Sequence, residues 1–173
     1  MKVTEILSNE HKNVLKSVEL LERECKKLED GKSIDKDFWG KIIDFVKNYN
    51  DKFHHAKEED ILFKEFNKAA EEGCVHCNPV EQMLYEHNQG RNFVKGMEQA
   101  IKNNDKEKLI ENARGYCQLL QEHIFKEDNV LYPMVDEALN DDIKKEILRK
   151  LKEVEKEKKK DKEKAIKFVK SLK

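Results

Sequence analysis

The chain has 173 residues, 36 acidic against 35 basic and 41% charged in all, with only six glycines and two prolines. So even a balance leaves no basic field and argues against nucleic acid as a main partner, and no stretch approaches the ~20 apolar residues of a membrane span. The length is that of about one domain, and the composition that of an all-α protein.

The segment Met1 to Ile6 becomes charged too quickly for a signal peptide. Four cysteines (Cys25, Cys74, Cys77 and Cys117) are too few and too scattered for a disulfide scaffold. A cytoplasmic, reducing setting is expected.

The first helix is predicted from about Thr4 to Leu28, where Leu7, His11, Val14, Val18, Leu21, Cys25 and Leu28 alternate at spacings of three and four. That spacing makes one inward stripe, with His11 inside it. Asp30-Gly31-Lys32-Ser33 is the turn, Gly31 supplying the helix-ending conformation. The second helix spans roughly Asp35 to Glu71 and aligns Ile43, Val46, His54, Glu58, Ile61 and Leu62 along one side. A loop containing Cys74-Val75-His76-Cys77 follows, and Pro79 is placed to open the next helix. The third helix, about Pro79 to Lys102, carries Val80, Met83, His87, Val94 and Met97 at helical spacing. The fourth, about Asp105 to Leu139, carries Leu109, Leu120, His123, Glu127 and Leu131, and Pro133 must kink it or end it early.

Asp141 to Lys173 forms a fifth helical segment dominated by Lys and Glu. Its apolar residues can dock its two ends, but Glu155 to Lys164 is almost purely charged, so a solvated helix packed loosely outside the rest is expected. Four long helices with short turns predict an up-down-up-down four-helix bundle over residues 1–139, with a charged C-terminal helical extension over 140–173.

The halves repeat. His54-His55-Ala56-Lys57-Glu58-Glu59-Asp60-Ile61-Leu62-Phe63 returns as His123-Ile124-Phe125-Lys126-Glu127-Asp128-Asn129-Val130-Leu131-Tyr132, and Glu10-His11 returns as Glu86-His87. A residue and its fourth successor stack on one helix face, so His54 with Glu58 and His123 with Glu127 each make a nitrogen-plus-oxygen claw. Two inward glutamates facing one another are costly unless positive charge lies between them. A pair of divalent or trivalent ions supplies it, held by His11, His54, Glu58, His87, His123 and Glu127. Imidazole with carboxylate suits iron, zinc or manganese. An oxo or hydroxo bridge and one open position per metal complete the set.

Four further features surround this constellation. His55 and Glu59 repeat the claw one residue out of phase; periodicity and the repeat both favour His54 and Glu58, which puts His55 beside the site or at the surface, a fifth nitrogen ligand being the alternative. Glu10 and Glu86 read as surface acids, or as acceptors behind the ligand histidines. Lys57 and Lys126 read as solvated stems, or as local compensators of the glutamates. Cys74 and Cys77 read as an incidental pair of free thiols.

Taken together, these residues resemble the hemerythrin-like family of HHE cation-binding domains, whose pattern is His, His-x-x-x-Glu, His, His-x-x-x-Glu over a four-helix bundle. The resemblance covers roughly residues 1–139 and includes the flanks Lys57 to Phe63 and Lys126 to Pro133. It implies two iron ions in an oxo- or hydroxo-bridged di-iron centre that binds or reacts with O2, NO or peroxide, for sensing, detoxification or transport. The alternative is an iron store, donor or iron/redox sensor without turnover. Oxygen-carrying members place a second histidine on helix three, where this chain has Arg91, and close the site with His-x-x-x-x-Asp, a spacing at which Asp128 stands. The pattern is therefore more similar to iron-repair, nitric-oxide-responsive and redox-sensing members. Ferritin-like bundles use Glu-x-x-His, and no glutamate stands three residues before a histidine here.

Overall fold

The computed structural model describes residues 2–73 and 77–171, and every regular element among them is helical. In chain order these are α1 (Glu5–Glu29), α2 (residues 36–71), α3 (Val80–Asn103), α4 (residues 106–138), α5 (Asp141–Glu157) and α6 (Lys159–Ser171). None is long and apolar enough to cross a membrane.

Local chemistry sets the boundaries. The side chains of Asp35 and Asp105 each accept from the backbone N–H three residues on, at 3.0 Å, and so cap α2 and α4. Asn140 does the same for α5 through two backbone N–H groups. Gly31 takes a left-handed φ of 90° after α1, as its turn predicts, and Asn104 takes 55° after α3.

Two of the long helices are not α-helical throughout. Val46–His55 and Glu58–Leu62 within α2, and Glu127–Leu131 within α4, are π-helical. Such wide turns are rare and concentrate at functional sites. The last of them decides between the two outcomes expected at Pro133, which does not end α4: the helix runs on to Ala138. A helical proline strikes the carbonyl four residues earlier. Here that residue, Asn129, lies inside the widened turn.

The helices close around two apolar clusters. One joins residues such as Val18, Leu21, Trp39, Phe45, Met97 and Leu120. The other joins Leu7 near the start of α1, Phe66 near the end of α2, Met83 near the start of α3 and Val135 near the end of α4. Apart from His123, which stands beside Ile124 of the first cluster, every histidine and glutamate of the candidate constellation falls in sequence between the segments feeding these clusters. A polar layer thus lies between two apolar slabs.

The tail docks at both ends as its apolar residues allow, Ile147 and Leu151 being fully buried and Val169 nearly so, but it breaks at Lys158 into two helices where one was expected. Its charged middle is engaged as well, since Lys158 donates to the Lys52 carbonyl at 2.6 Å.

Candidate metal centre

Two buried groups of side chains converge in the polar layer. Ligand atoms of His55, Glu58, His87 and His123 lie within 4.8 Å of one another, and so do those of His11, His54, Glu58 and Glu127. Glu58 belongs to both. The six residues singled out from the sequence are all brought together here, and His55 joins them as a seventh. It is buried, and its ring stacks on that of His87 with centroids 3.8 Å apart. Regular helical periodicity set His55 at the side or surface; the π-helical run that ends at His55 changes the angular phase on which that reading depended.

Behind the histidines stands a ring of carboxylates. The Nδ1 of His11 faces Asp128 at 3.1 Å, that of His54 faces Glu10 at 3.0 Å, that of His87 faces Glu59 at 2.7 Å and that of His123 faces Glu86 at 2.8 Å. Each Nδ1–H donates outward, which directs Nε2 to the centre and fixes ring orientation. The pattern has a simple origin. Consecutive residues on a helix point about 100° apart, so the neighbour of an inward ligand faces the adjacent helix. Glu10, beside His11, therefore reaches His54, and Glu86, beside His87, reaches His123. Glu59 and Asp128, beside the two claw glutamates, close the cycle onto His87 and His11. Glu10 and Glu86 are buried acceptors, not surface acids.

Lys57 and Lys126 also differ from solvated stems. Lys57 is fully buried and paired with Glu10, whereas Lys126, whose side chain is 37% exposed, pairs with Glu86. Arg91, in the place of a helix-three histidine, holds Asp51 and Glu59 each at 2.7 Å. Asp51 in turn lies 3.6 Å from His55 Nδ1. A cavity of about 230 Å3 lined by Asp51, His55, His87, Gly90, Arg91 and Tyr116 opens beside this half of the centre. A larger groove of about 750 Å3 between α2 and α6 touches none of the converging ligands.

The sequence reading missed Tyr132, the aromatic that ends the repeat. Its hydroxyl donates to Glu58 Oε1 and lies 3.4 Å from His11 Nε2. The only signal was its alignment with Phe63, since a phenol at a core position needs a polar partner. Cys25 and Cys117 are buried thiols pushed up to about 11 and about 12 by burial. Cys77 is exposed, and Cys74 and His76 lie outside the described residues.

A cation fits this geometry. His54 Nε2, His55 Nδ1, Glu58 Oε2 and both carboxylate oxygens of Glu127 are buried without a hydrogen bond, although His11 Nε2 and His123 Nε2 lie 3.2 Å and 3.1 Å from the Glu127 oxygens. The Nε2 atoms of His87 and His123 face each other at 3.0 Å, where at most one can carry a proton. Without metal, protons do the compensating. Burial disfavours charge on His11, but Asp128 and Glu127 raise it to about 10; burial also opposes charge on His123, and Glu127 and Glu86 raise it to about 10. Burial, then Glu127, holds Glu58 well above the usual carboxylate range, so it keeps its proton. Burial opposes ionisation of Glu127 too, yet His123 and His11 hold it well below that range. Burial and the neighbouring His55 lower His87 to about 3.

These shifts give the metal-free protein a bell-shaped stability. His11 and His123, raised, contribute fully below their unfolded value of 6.5, and the contribution is lost as pH climbs toward about 10. His87, lowered, costs stability as pH falls from 6.5 toward about 3. Urea midpoints of the metal-free chain should therefore peak near pH 6 to 7, close to that unfolded histidine value, and fall by pH 9. A midpoint that rises steadily from pH 6 to pH 9 contradicts this arrangement.

The family model of the hemerythrin HHE cation binding domain matches residues 2–135 of the chain. Neither the curated proteins nor the solved structures yield a match.

Proposed function

The chain belongs to the hemerythrin HHE cation-binding family, and on that premise we propose that it is a non-haem di-iron protein that binds or reacts with O2, NO or peroxide, in sensing, detoxification or transport. The observation that carries the reading is the convergence of buried ligand atoms, those on His54, Glu58 and Glu127 making no hydrogen bond, a cost that the metal-free chain offsets with protons on His11, His123 and Glu58 and that a bound cation would meet directly. In this proposal residues 1–139 are the metal-binding unit, with α1 to α4 in up-down-up-down order, a reading supported by the cluster that joins alternate helix ends. A cytoplasmic setting accords with the buried free thiols of Cys25 and Cys117.

His55, His87 and His123 would hold one ion and His11, His54 and Glu127 the other, with Glu58 shared between them. Bound iron would supply open coordination positions and electrons for a small diatomic molecule or peroxide. The chain's own residues do the rest. Four carboxylates accept from Nδ1 of His11, His54, His87 and His123 and orient those rings, while Asp51 lies 3.6 Å from Nδ1 of His55. The apolar slabs exclude water from both ends, and the cavity beside His55 and His87 admits a small molecule from the side. Tyr132 holds its proton on the phenolic oxygen beside Glu58, well above its ordinary titration range, chiefly through burial.

Metal analysis with a visible spectrum tests the proposal. Protein expressed with ample iron should carry two irons per chain, one for each ligand group, and its reduced form should change colour on exposure to O2 or NO. Reversal on removing the gas indicates binding, and permanent oxidation without turnover indicates iron handling. A chain that carries one metal ion or none rejects the di-iron reading.

A further inference from the structure

We propose that the C-terminal helices are part of the metal centre electrostatically: Glu155 and Lys162 are positioning residues that set the charge around His54, and through it the reduction potential of the ion His54 holds. The proposal rests on the di-iron reading above.

The internal repeat provides its own comparison. In the second half, Glu86 accepts from His123 Nδ1 at 2.8 Å, from Gln82 at 2.7 Å and from Lys126, which is partly exposed. In the first half, Glu10 accepts from His54 Nδ1 at 3.0 Å and from Lys57, and there the likeness ends. Lys57 also reaches Glu155 at 2.8 Å, and its ammonium sits 4.0 Å over the Phe53 ring. The other oxygen of Glu155 lies 2.5 Å from Lys162, and Lys162 lies 3.8 Å from Glu10. Glu10, Lys57, Glu155 and Lys162 thus form a closed ring of alternating charge, two members of it supplied by α5 and α6.

The geometry has an electrical consequence. Lys57 is 1% exposed and Glu10 4%, so these charges are weakly screened by solvent. Glu155 and Lys162, 25% and 24% exposed, cover them from outside. A more negative Glu10 draws harder on the His54 Nδ1–H and makes that imidazole the stronger donor on its other nitrogen. Neutralising Glu155 leaves two ammonium groups against Glu10 alone, weakens that pull and disfavours the higher charge on the ion. Neutralising Lys162 leaves two carboxylates against Lys57 and does the opposite. A packing role would move both variants the same way; an electrostatic role moves them apart.

Full-length wild type, Glu155→Gln, Glu155→Asp, Lys162→Met and the control Arg149→Gln are loaded with iron and titrated by spectroelectrochemistry. Arg149 lies on the same helix as Glu155 and pairs only with Glu146 and Glu153 among the described residues. At a fixed applied potential, Glu155→Gln should raise the ferrous-to-ferric ratio by about threefold or more, and Lys162→Met should lower it by a similar factor. Glu155→Asp and Arg149→Gln should stay within about twofold of wild type. In metal-free protein, the His54 ring nitrogen shifts should likewise move in opposite directions in the two charge variants. Variants that keep their iron but shift together, or do not shift, overturn the proposal. Wild type without iron overturns only the di-iron reading, and the ring-nitrogen shifts then decide the role of the tail by themselves.

Discussion

Glu58→Gln should abolish binding of both ions while leaving the metal-free fold almost unchanged. Glu58 is the one residue common to both ligand groups, so its loss is felt twice, whereas every other ligand belongs to one group. In the metal-free protein burial and Glu127 keep Glu58 protonated, and a protonated carboxyl differs little from a carboxamide in size. The Tyr132 hydroxyl, which donates to Glu58 Oε1, finds an amide oxygen in the same place. The metal-free variant should therefore unfold within ~1 kcal/mol of the metal-free wild type. The metal-loaded comparison should separate sharply: at a free metal concentration a hundred times Kd, wild type gains ~2.7 kcal/mol, and the variant gains none. Chemical denaturation of both proteins with and without iron measures all four values. An iron-dependent gain in Glu58→Gln equal to that of wild type removes Glu58 from the centre.

His55→Gln should weaken one ion selectively, by more than the roughly tenfold to hundredfold that loss of a partner behind a ligand costs, since here the ligand nitrogen itself is removed. Its ligand atom converges with those of Glu58, His87 and His123, and with none of His11, His54 or Glu127. Iron content should then fall from two per chain toward one on dialysis against a moderate chelator, and the residual ion should be lost when His54→Gln is added. His55 stacks on His87, so packing loss must be separated from ligand loss. Glutamine keeps much of the volume and provides no imidazole nitrogen, and the metal-free stability reports any packing defect. Full retention of both irons in His55→Gln would place His55 outside the ligand set and return the three-histidine half to two nitrogens.

These two residues also mark how far the sequence could be read. Glu58 was legible because its relation to His54 is local: four residues apart on one helix, repeated by His123 and Glu127, and needing only helical periodicity to face inward. The apolar stripe that carries Leu7, His11, Val14 and Val18 was legible for the same reason, and with it the all-helical class. His55 was not, because its inward position depends on π-helical turns, and hydrophobic spacing measured against a regular helix carries no sign of them. Pro133 was left between a kink and an early end for the same reason, since spacing along the chain gave no sign of the widened turn before it, through which α4 continues. Glu10 and Glu86 could be suspected but not assigned: each sits next to one histidine and serves another, across a helix interface.

By itself, then, the sequence determined the helices, the duplicated claw and the six inward candidate ligands, since all of these follow from periodicities within single helices and from the cost of burying carboxylates without a cation. Tertiary structure decided which acid orients which histidine, the entry of His55 and Tyr132 into the centre, and the capture of Lys57 by Glu155 and Lys162 of the tail. Those contacts depend on the distance and rotation between packed helices, on which the spacing of residues along one helix carries no information.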